Sequence, residues 1–176
     1  MGARIALFAA VSQPDSCRAL VLESASPGLV SPNARARRRG KDAALANLIM
    51  EKGMEAFSNY WERQPLFRSQ RSLPPSAREW IRRQRLNNSP IGLANTLRAA
   101  NPGAQPPAHK LLPKLRIPVL CIVGERDRKF RIVAKEMCSK LRYGRVEIIP
   151  GAGHAAHIEK PLEFNRAVLA FLAECE

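Results

Sequence analysis

Asp127 and His154 are the two side chains whose types and setting best suit chemistry. Each stands in a glycine-bearing loop directly after an apolar run: Gly124-Glu125-Arg126-Asp127 ends the run Leu115 to Gly124 (LRIPVLCIVG), and Gly151-Ala152-Gly153-His154 follows Val146 to Ile149. In open parallel sheets, ligands and reacting groups collect at the carboxyl ends of strands. These two ends are one strand–helix–strand step apart, so adjacent strands would bring the side chains together. A carboxylate beside an imidazole fixes its tautomer and stabilises its cation, which is the supporting half of a nucleophilic triad. Plainer uses exist for both: Asp127 as the N-cap of the helix after it, His154 as a loop histidine satisfied by backbone. Finding both at glycine-containing strand ends favours the joint reading. His157 is read as a supporting or surface residue. No His, Cys and carboxylate set has metal-ligand spacing, and no metal is expected.

The elements that must position this pair are legible in outline. Residues 2–12 have the small, apolar composition of a buried helix, and Gln13-Pro14-Asp15-Ser16 breaks it. Arg18 to Glu23 reads as a buried parallel strand with a loop at its carboxyl end. Helical patterns cover 33–51, 53–64, 75–86 and 89–99, with Pro and Gly between them. Strands are expected over 115–124 and 146–149, and helices over 130–141 and 161–173, the last with Pro161 in its first turn. Strand–helix alternation of this kind predicts an α/β fold with a parallel sheet. The division expected is 1–30 for the start of the core domain, 31–107 for a helical cap, and 108–176 for the rest of the core, including the acid and histidine loops.

The 176 residues carry 29 Lys+Arg against 15 Asp+Glu, a formal charge of +14, with 45% hydrophobic and 25% charged residues. That balance is globular and excludes a disordered chain. No apolar run reaches the roughly 20 residues that span a bilayer, so no membrane is expected among the partners. Ala6 stands where a myristoylation start would need Ser or Thr, and Ile5 to Val11 is read as mature protein rather than signal peptide. Cys17, Cys121, Cys138 and Cys175 form no C-x-x-C pair and read as reduced packing residues of an intracellular protein. The charge itself points to polyanions. Arg35, Arg37, Arg39 and Lys41 would form an exposed face of the cap helix or, in a rival reading, a nucleic-acid contact. With no helix-turn-helix, zinc-finger or aromatic RNA-binding signature, nucleic acid is not expected as a partner.

At the level of motifs the chain resembles the α/β-hydrolase superfamily, and within it the 2-succinyl-6-hydroxy-2,4-cyclohexadiene-1-carboxylate synthase family of menaquinone and phylloquinone biosynthesis. The residues that carry this are Met1-Gly2-Ala3-Arg4-Ile5-Ala6-Leu7, Ser26-Pro27-Gly28-Leu29, Arg35-x-x-Arg38, Phe57 to Phe67 (FSNYWERQPLF) and Arg85-Leu86-Asn87-Asn88. They continue with Gly124-Glu125-Arg126-Asp127-x-Lys129-Phe130 and Gly153-His154-x-x-His157-x-Glu159-x-Pro161. The resemblance implies a parallel sheet flanked by helices, a helical cap, and Asp127 and His154 as acid and base. It also implies a pyruvate-eliminating lyase acting on 2-succinyl-5-enolpyruvyl-6-hydroxy-3-cyclohexene-1-carboxylate without a cofactor. A hydrolase of ester or carbon–carbon bonds on the same scaffold is the alternative, and a non-catalytic role a third reading.

In the superfamily the nucleophilic Ser sits in G-x-S-x-G at a strand-to-helix turn, and the family's version continues with the Met-Gly that opens this sequence. The resemblance therefore places the nucleophile immediately before Met1, and the backbone nitrogen of Met1 in the oxyanion hole. Ser12, Ser24, Ser26 and Ser31 lack flanking glycines at the right spacing. The expectation is a truncated chain, or a start set at an internal Met, with little or no activity of its own. The resemblance further assigns Arg4, Arg38 and Arg85 to substrate carboxylates, chemistry that guanidinium performs bidentately, and Trp61 to an apolar wall. The plain alternatives are a solvated basic face for the arginines and ordinary core packing for Trp61. The expected partner is thus a small polycarboxylate, the expected location the cytoplasm or a plastid, and oligomeric state is left open.

Overall fold

The computed structural model describes residues 2–175. In chain order the elements are α1 (Gly2–Ser12), β1 (Leu20–Glu23), α2 (Pro32–Glu62), α3 (Pro75–Leu86), α4 (Pro90–Ala99), β2 (Val119–Gly124), α5 (Arg128–Cys138), β3 (Gly144–Ile149), α6 (Ala156–Glu159) and α7 (Pro161–Ala173). The chain separates into two compact units, one taking in the residues up to Pro27 and again from Ala108, the other Gly28–Pro107.

The first unit is built on a three-stranded parallel sheet in the order β1-β2-β3. Its central strand explains the rest. All six residues of β2 are buried, as a parallel strand covered on both faces requires. Val119, Cys121 and Val123 face a cluster with Leu7 and Ala10 of α1 and Ala134 and Met137 of α5. Leu120 and Ile122 face the other way, toward Ala156 of α6 and Phe171 of α7. Burying each such Val, Leu or Ile side chain stabilises the fold by about 1.5–3 kcal/mol. β2 starts four residues later than the apolar run implied. Pro118 has no N–H to give a ladder, although its carbonyl accepts the Leu20 amide at 2.9 Å. β3 starts two residues earlier than expected, at Gly144 opposite Val119.

The second unit is helical. α2 begins at Pro32 behind an Ser31 cap, whose hydroxyl accepts the Ala34 amide. It is one element only nominally, because Gly53 adopts φ 76° and breaks it into two helices. Such a left-handed φ is cheap only for glycine, which accounts for the two helical patterns that meet there. Leu45, Ala46, Ile49, Met54 and Phe57 of α2 pack with Ala94 and Leu97 of α4. Asn101, 3% exposed, closes α4: its amide donates to the Leu97 and Arg98 carbonyls and its oxygen accepts the Gly103 and Ala104 amides. A short 3-10 segment, Pro65–Ser72, which the sequence pattern did not show, leads into α3.

The basic run at the start of α2 is not simply a solvated face. Arg35 donates to the carbonyls of Gly103 and Ala104, and Arg39 to that of Gly103. Both tie α2 to the segment after α4, while Arg37 and Lys41 remain exposed.

At Gly124, where β2 ends, a Cβ would overlap the carbonyl oxygens of Ala152 and Gly153. Both are backbone atoms that cannot swing aside. Gly124→Ala is therefore expected to lower the unfolding free energy by roughly 1–3 kcal/mol, as overpacking does. Gly40→Ala, on a helical stretch with nothing within 4 Å of the new methyl, is expected to raise it by about 0.5–1 kcal/mol. Urea unfolding of both variants checks the pair; equal midpoints for the two would contradict this packing.

Candidate active site

The register of the sheet decides where the two loops meet. Gly124 pairs with Ile149 at the last rung between β2 and β3, so both loops leave the same edge side by side. Backbone bonds then lace them together: the Glu125 amide donates to the Ile149 carbonyl at 3.0 Å, and the Arg126 amide to the Ala152 carbonyl at 2.8 Å. Glu125 adds its carboxylate, which accepts the Gly151 amide at 2.8 Å.

Within this frame Asp127 Oδ2 lies 2.6 Å from His154 Nδ1. Its other oxygen, Oδ1, accepts the Phe130 amide and caps α5. The helix cap and the imidazole contact therefore coexist on separate oxygens of one carboxylate. The Asp127 side chain is 4% exposed and that of His154 21%. A buried carboxylate needs partners for its lone pairs, and the imidazole and the helix amide supply them. The Phe130 ring lies 4.7 Å from the imidazole, tilted by 54°, and closes one face of it. An ionised carboxylate only accepts, so Nδ1 carries the proton of this bond, and in the neutral ring the lone pair is then on Nε2.

Ser24, Glu23 and Glu159 hold the His154 loop, roles that the sequence pattern did not mark. The Ser24 hydroxyl, from a residue at φ 42° just after β1, donates to the His154 carbonyl at 2.9 Å. Glu23 accepts both the amide and the Nδ1 of His157, the latter at 2.6 Å. The His157 side chain is half exposed and forms this second histidine–carboxylate pair beside the first. Glu159 accepts the Gly153 amide at 2.7 Å and the Ala155 amide at 3.3 Å. These partners lie up to 134 residues apart, a separation no local pattern encodes.

The residues assigned to substrate carboxylates fall in both units. Arg4 is buried on α1. Arg38 on α2 pairs with the buried Asp42 one turn on. Trp61 stacks on Phe57 at 5.4 Å and sits 5.5 Å from Phe67. Arg85 lies over the same Phe67 ring and donates to Glu62 at 3.2 Å and Gln70 at 3.1 Å. Burial pulls its guanidinium below the ordinary arginine value, and Glu62 partly offsets that. Phe67, Gln70, Arg71, Arg78, Arg82 and Arg85 line a cleft of about 520 Å³ within the helical unit. Met1, assigned to the oxyanion hole, lies outside the described residues.

The other candidate chemistry is quieter. The neighbouring Cys138 thiol and burial both push the Cys121 thiol up, which keeps it protonated and inert. Among the described residues no group of three or more His, Cys, Asp or Glu could hold a metal ion, and no helix is long and apolar enough to cross a membrane.

Comparison with known proteins follows the same lines. The chain is 43% identical over 172 residues to a Bacillus subtilis (strain 168) protein provisionally named 2-succinyl-6-hydroxy-2,4-cyclohexadiene-1-carboxylate synthase, covering 98% of this chain and 63% of that one. It is 34% identical over 161 residues to the synthase of that name from Salmonella heidelberg (strain SL476), covering 92% of this chain and 61% of the relative. Among solved structures it superposes on MenH from S. aureus with a TM-score of 0.96 at 36% identity, covering 98% of this chain and 65% of that one. The chain thus spans 61–63% of the length of these curated relatives. The family model for the alpha/beta hydrolase fold matches residues 1–161, and the chain belongs to the α/β-hydrolase fold family.

Proposed function

We propose that this chain supplies the acid and base of a 2-succinyl-6-hydroxy-2,4-cyclohexadiene-1-carboxylate synthase, in which His154, oriented by Asp127, drives elimination of pyruvate. The carrying observation is the 2.6 Å Asp127–His154 bond at the ends of adjacent parallel strands, in a chain whose relatives carry that synthase name. In this reading Nε2 of His154 takes the proton of a serine hydroxyl, which the family motif places immediately before Met1. The activated oxygen removes a proton from carbon on 2-succinyl-5-enolpyruvyl-6-hydroxy-3-cyclohexene-1-carboxylate. The electron pair left at ring C2 forms a C2–C3 double bond, the existing C3–C4 double bond shifts to C4–C5, the C5–oxygen bond to the enolpyruvyl group breaks, and the released enolate is protonated to pyruvate. No oxidant or reductant is required. A base of this kind contributes typically 10²–10⁴-fold.

Arg4, Arg38 and Arg85 would hold the carboxylates of this substrate and Trp61 would wall its apolar side. The substrate is a small polycarboxylate of the cytoplasm or plastid, and the basic residues outside these positions are surface and structure rather than a nucleic-acid site. Arg35 and Arg39 support that assignment, being spent on backbone carbonyls.

The test is pyruvate release, coupled to lactate dehydrogenase, by a polypeptide carrying the serine-bearing segment ahead of Met1, run beside hydrolysis of a p-nitrophenyl ester. Pyruvate from the enolpyruvyl substrate is the expected result; ester turnover without pyruvate would replace the lyase by a hydrolase. In the same polypeptide Asp127→Asn is expected to lower kcat by on the order of 10³–10⁴-fold. Its thermal unfolding should shift little, because Asn caps a helix about as well as Asp. Arg38→Ala is expected to raise KM by about 10–100-fold, the worth of a hydrogen bond to a charged group; an unchanged KM would remove Arg38 from the substrate's contacts.

A further inference from the structure

We propose that Glu159 is a positioning residue for His154, holding the backbone on both sides of it so that the imidazole meets its partners at a fixed place. The proposal rests on the reading of His154 as the base. Its structural ground is independent of that reading: one oxygen of Glu159 accepts the Gly153 amide at 2.7 Å and the other accepts the Ala155 amide at 3.3 Å. The two amides belong to the residues flanking His154, so the carboxylate straddles it. With the Ser24 hydroxyl on the His154 carbonyl at 2.9 Å, the backbone is anchored before, at and after this one residue.

The sequence shows why an anchor is needed. His154 follows Gly151-Ala152-Gly153, and Gly151 sits at φ 70°. Glycines leave the most backbone freedom to be removed. A base held loosely by a glycine loop loses rate steeply, because catalytic groups must stay within about 0.5 Å of their working geometry.

The chemistry also selects a carboxylate. Here each of the two amides has its own acceptor oxygen. Glutamine offers one oxygen and one NH2, so one of the two amides would then face a donor. The two neighbouring carboxylates serve as internal comparisons. Among the described residues the Glu125 carboxylate accepts the Gly151 amide, and the Glu23 carboxylate bonds His157. Both frame the loop without flanking His154.

The experiment uses the 176-residue chain labelled with ¹⁵N and reads three signals: the amides of Gly153 and Ala155 and the imidazole Nδ1 proton held by Asp127. Glu159→Gln is expected to speed solvent exchange of both amides by about 10–100-fold, the worth of a charge-assisted hydrogen bond. It should also broaden the imidazole proton while leaving the far-ultraviolet circular dichroism unchanged. Glu125→Gln is expected to speed the Gly151 amide alone. Should Glu159→Gln fail to fold, Glu159→Asp, which keeps the charge but shortens the reach, gives the same readout. In the serine-bearing polypeptide the substitution should lower kcat with KM unchanged. Unaltered exchange and an unaltered imidazole proton in folded Glu159→Gln would overturn the positioning role and leave the function standing. Equal losses in Glu125→Gln would overturn it too, since the effect would then be general loosening of the loop. A wild-type chain without a protected imidazole proton would overturn both readings.

Discussion

The Asp127 carboxylate is the constraint on which this structure turns. A charge 4% exposed must have its lone pairs met, and it meets them by dividing its oxygens: one fixes the first turn of α5, the other the imidazole of His154. The geometry of the helix and that of the candidate base are thereby the same fact. Everything nearby serves that division. Fully buried β2 sets the height from which both loops leave, the Gly124–Ile149 rung aligns them, and Gly124 has no side chain because the carbonyls of Ala152 and Gly153 occupy that space. The loop that bears His154 is held in turn from β1 by Ser24 and from its own far end by Glu159.

The charge of the chain is used in more than one way. A formal +14 invites a search for polyanions, yet several of these cations are committed within the fold. Arg35 and Arg39 satisfy carbonyls at the turn after α4, and Arg82 and Arg85 converge on Glu62. Arginine suits such work because its planar fork bonds several acceptors while its stem packs on apolar surface, as Arg85 does on Phe67. In the functional reading proposed for the chain, a few arginines meet the substrate and the remainder hold helices together or keep the surface soluble.

Much of the architecture could be read from local chemistry. Apolar runs ending in glycine mark strands whose loops carry polar residues. The helical patterns beginning at 33 and 89 start within one residue of α2 and α4, and the structure shows Ser31 and Ser89 as their caps. The Gly53 break fell where two helical patterns met. Misplaced boundaries have physical causes, such as Pro118, which delays β2, and the Pro65–Ser72 segment, whose tight turns leave no 3.6-residue pattern. Less accessible were the groups that hold the site. Ser24 and Glu23 act on a loop 130 and 134 residues away, and Arg35 on a carbonyl 68 residues away. Such partners are chosen by the folded chain, and only the sheet register brings them within reach.

The account's central claim is that Asp127 holds His154 with the proton on Nδ1 and the lone pair on Nε2. Long-range ¹⁵N–¹H correlation of the labelled chain at neutral pH reads that directly from the two ring nitrogens. The account requires a pyrrole-like Nδ1 and a pyridine-like Nε2 in the native chain, with the preference lost in Asp127→Ala. A native His154 protonated on Nε2, or a tautomer ratio indifferent to Asp127, would contradict it.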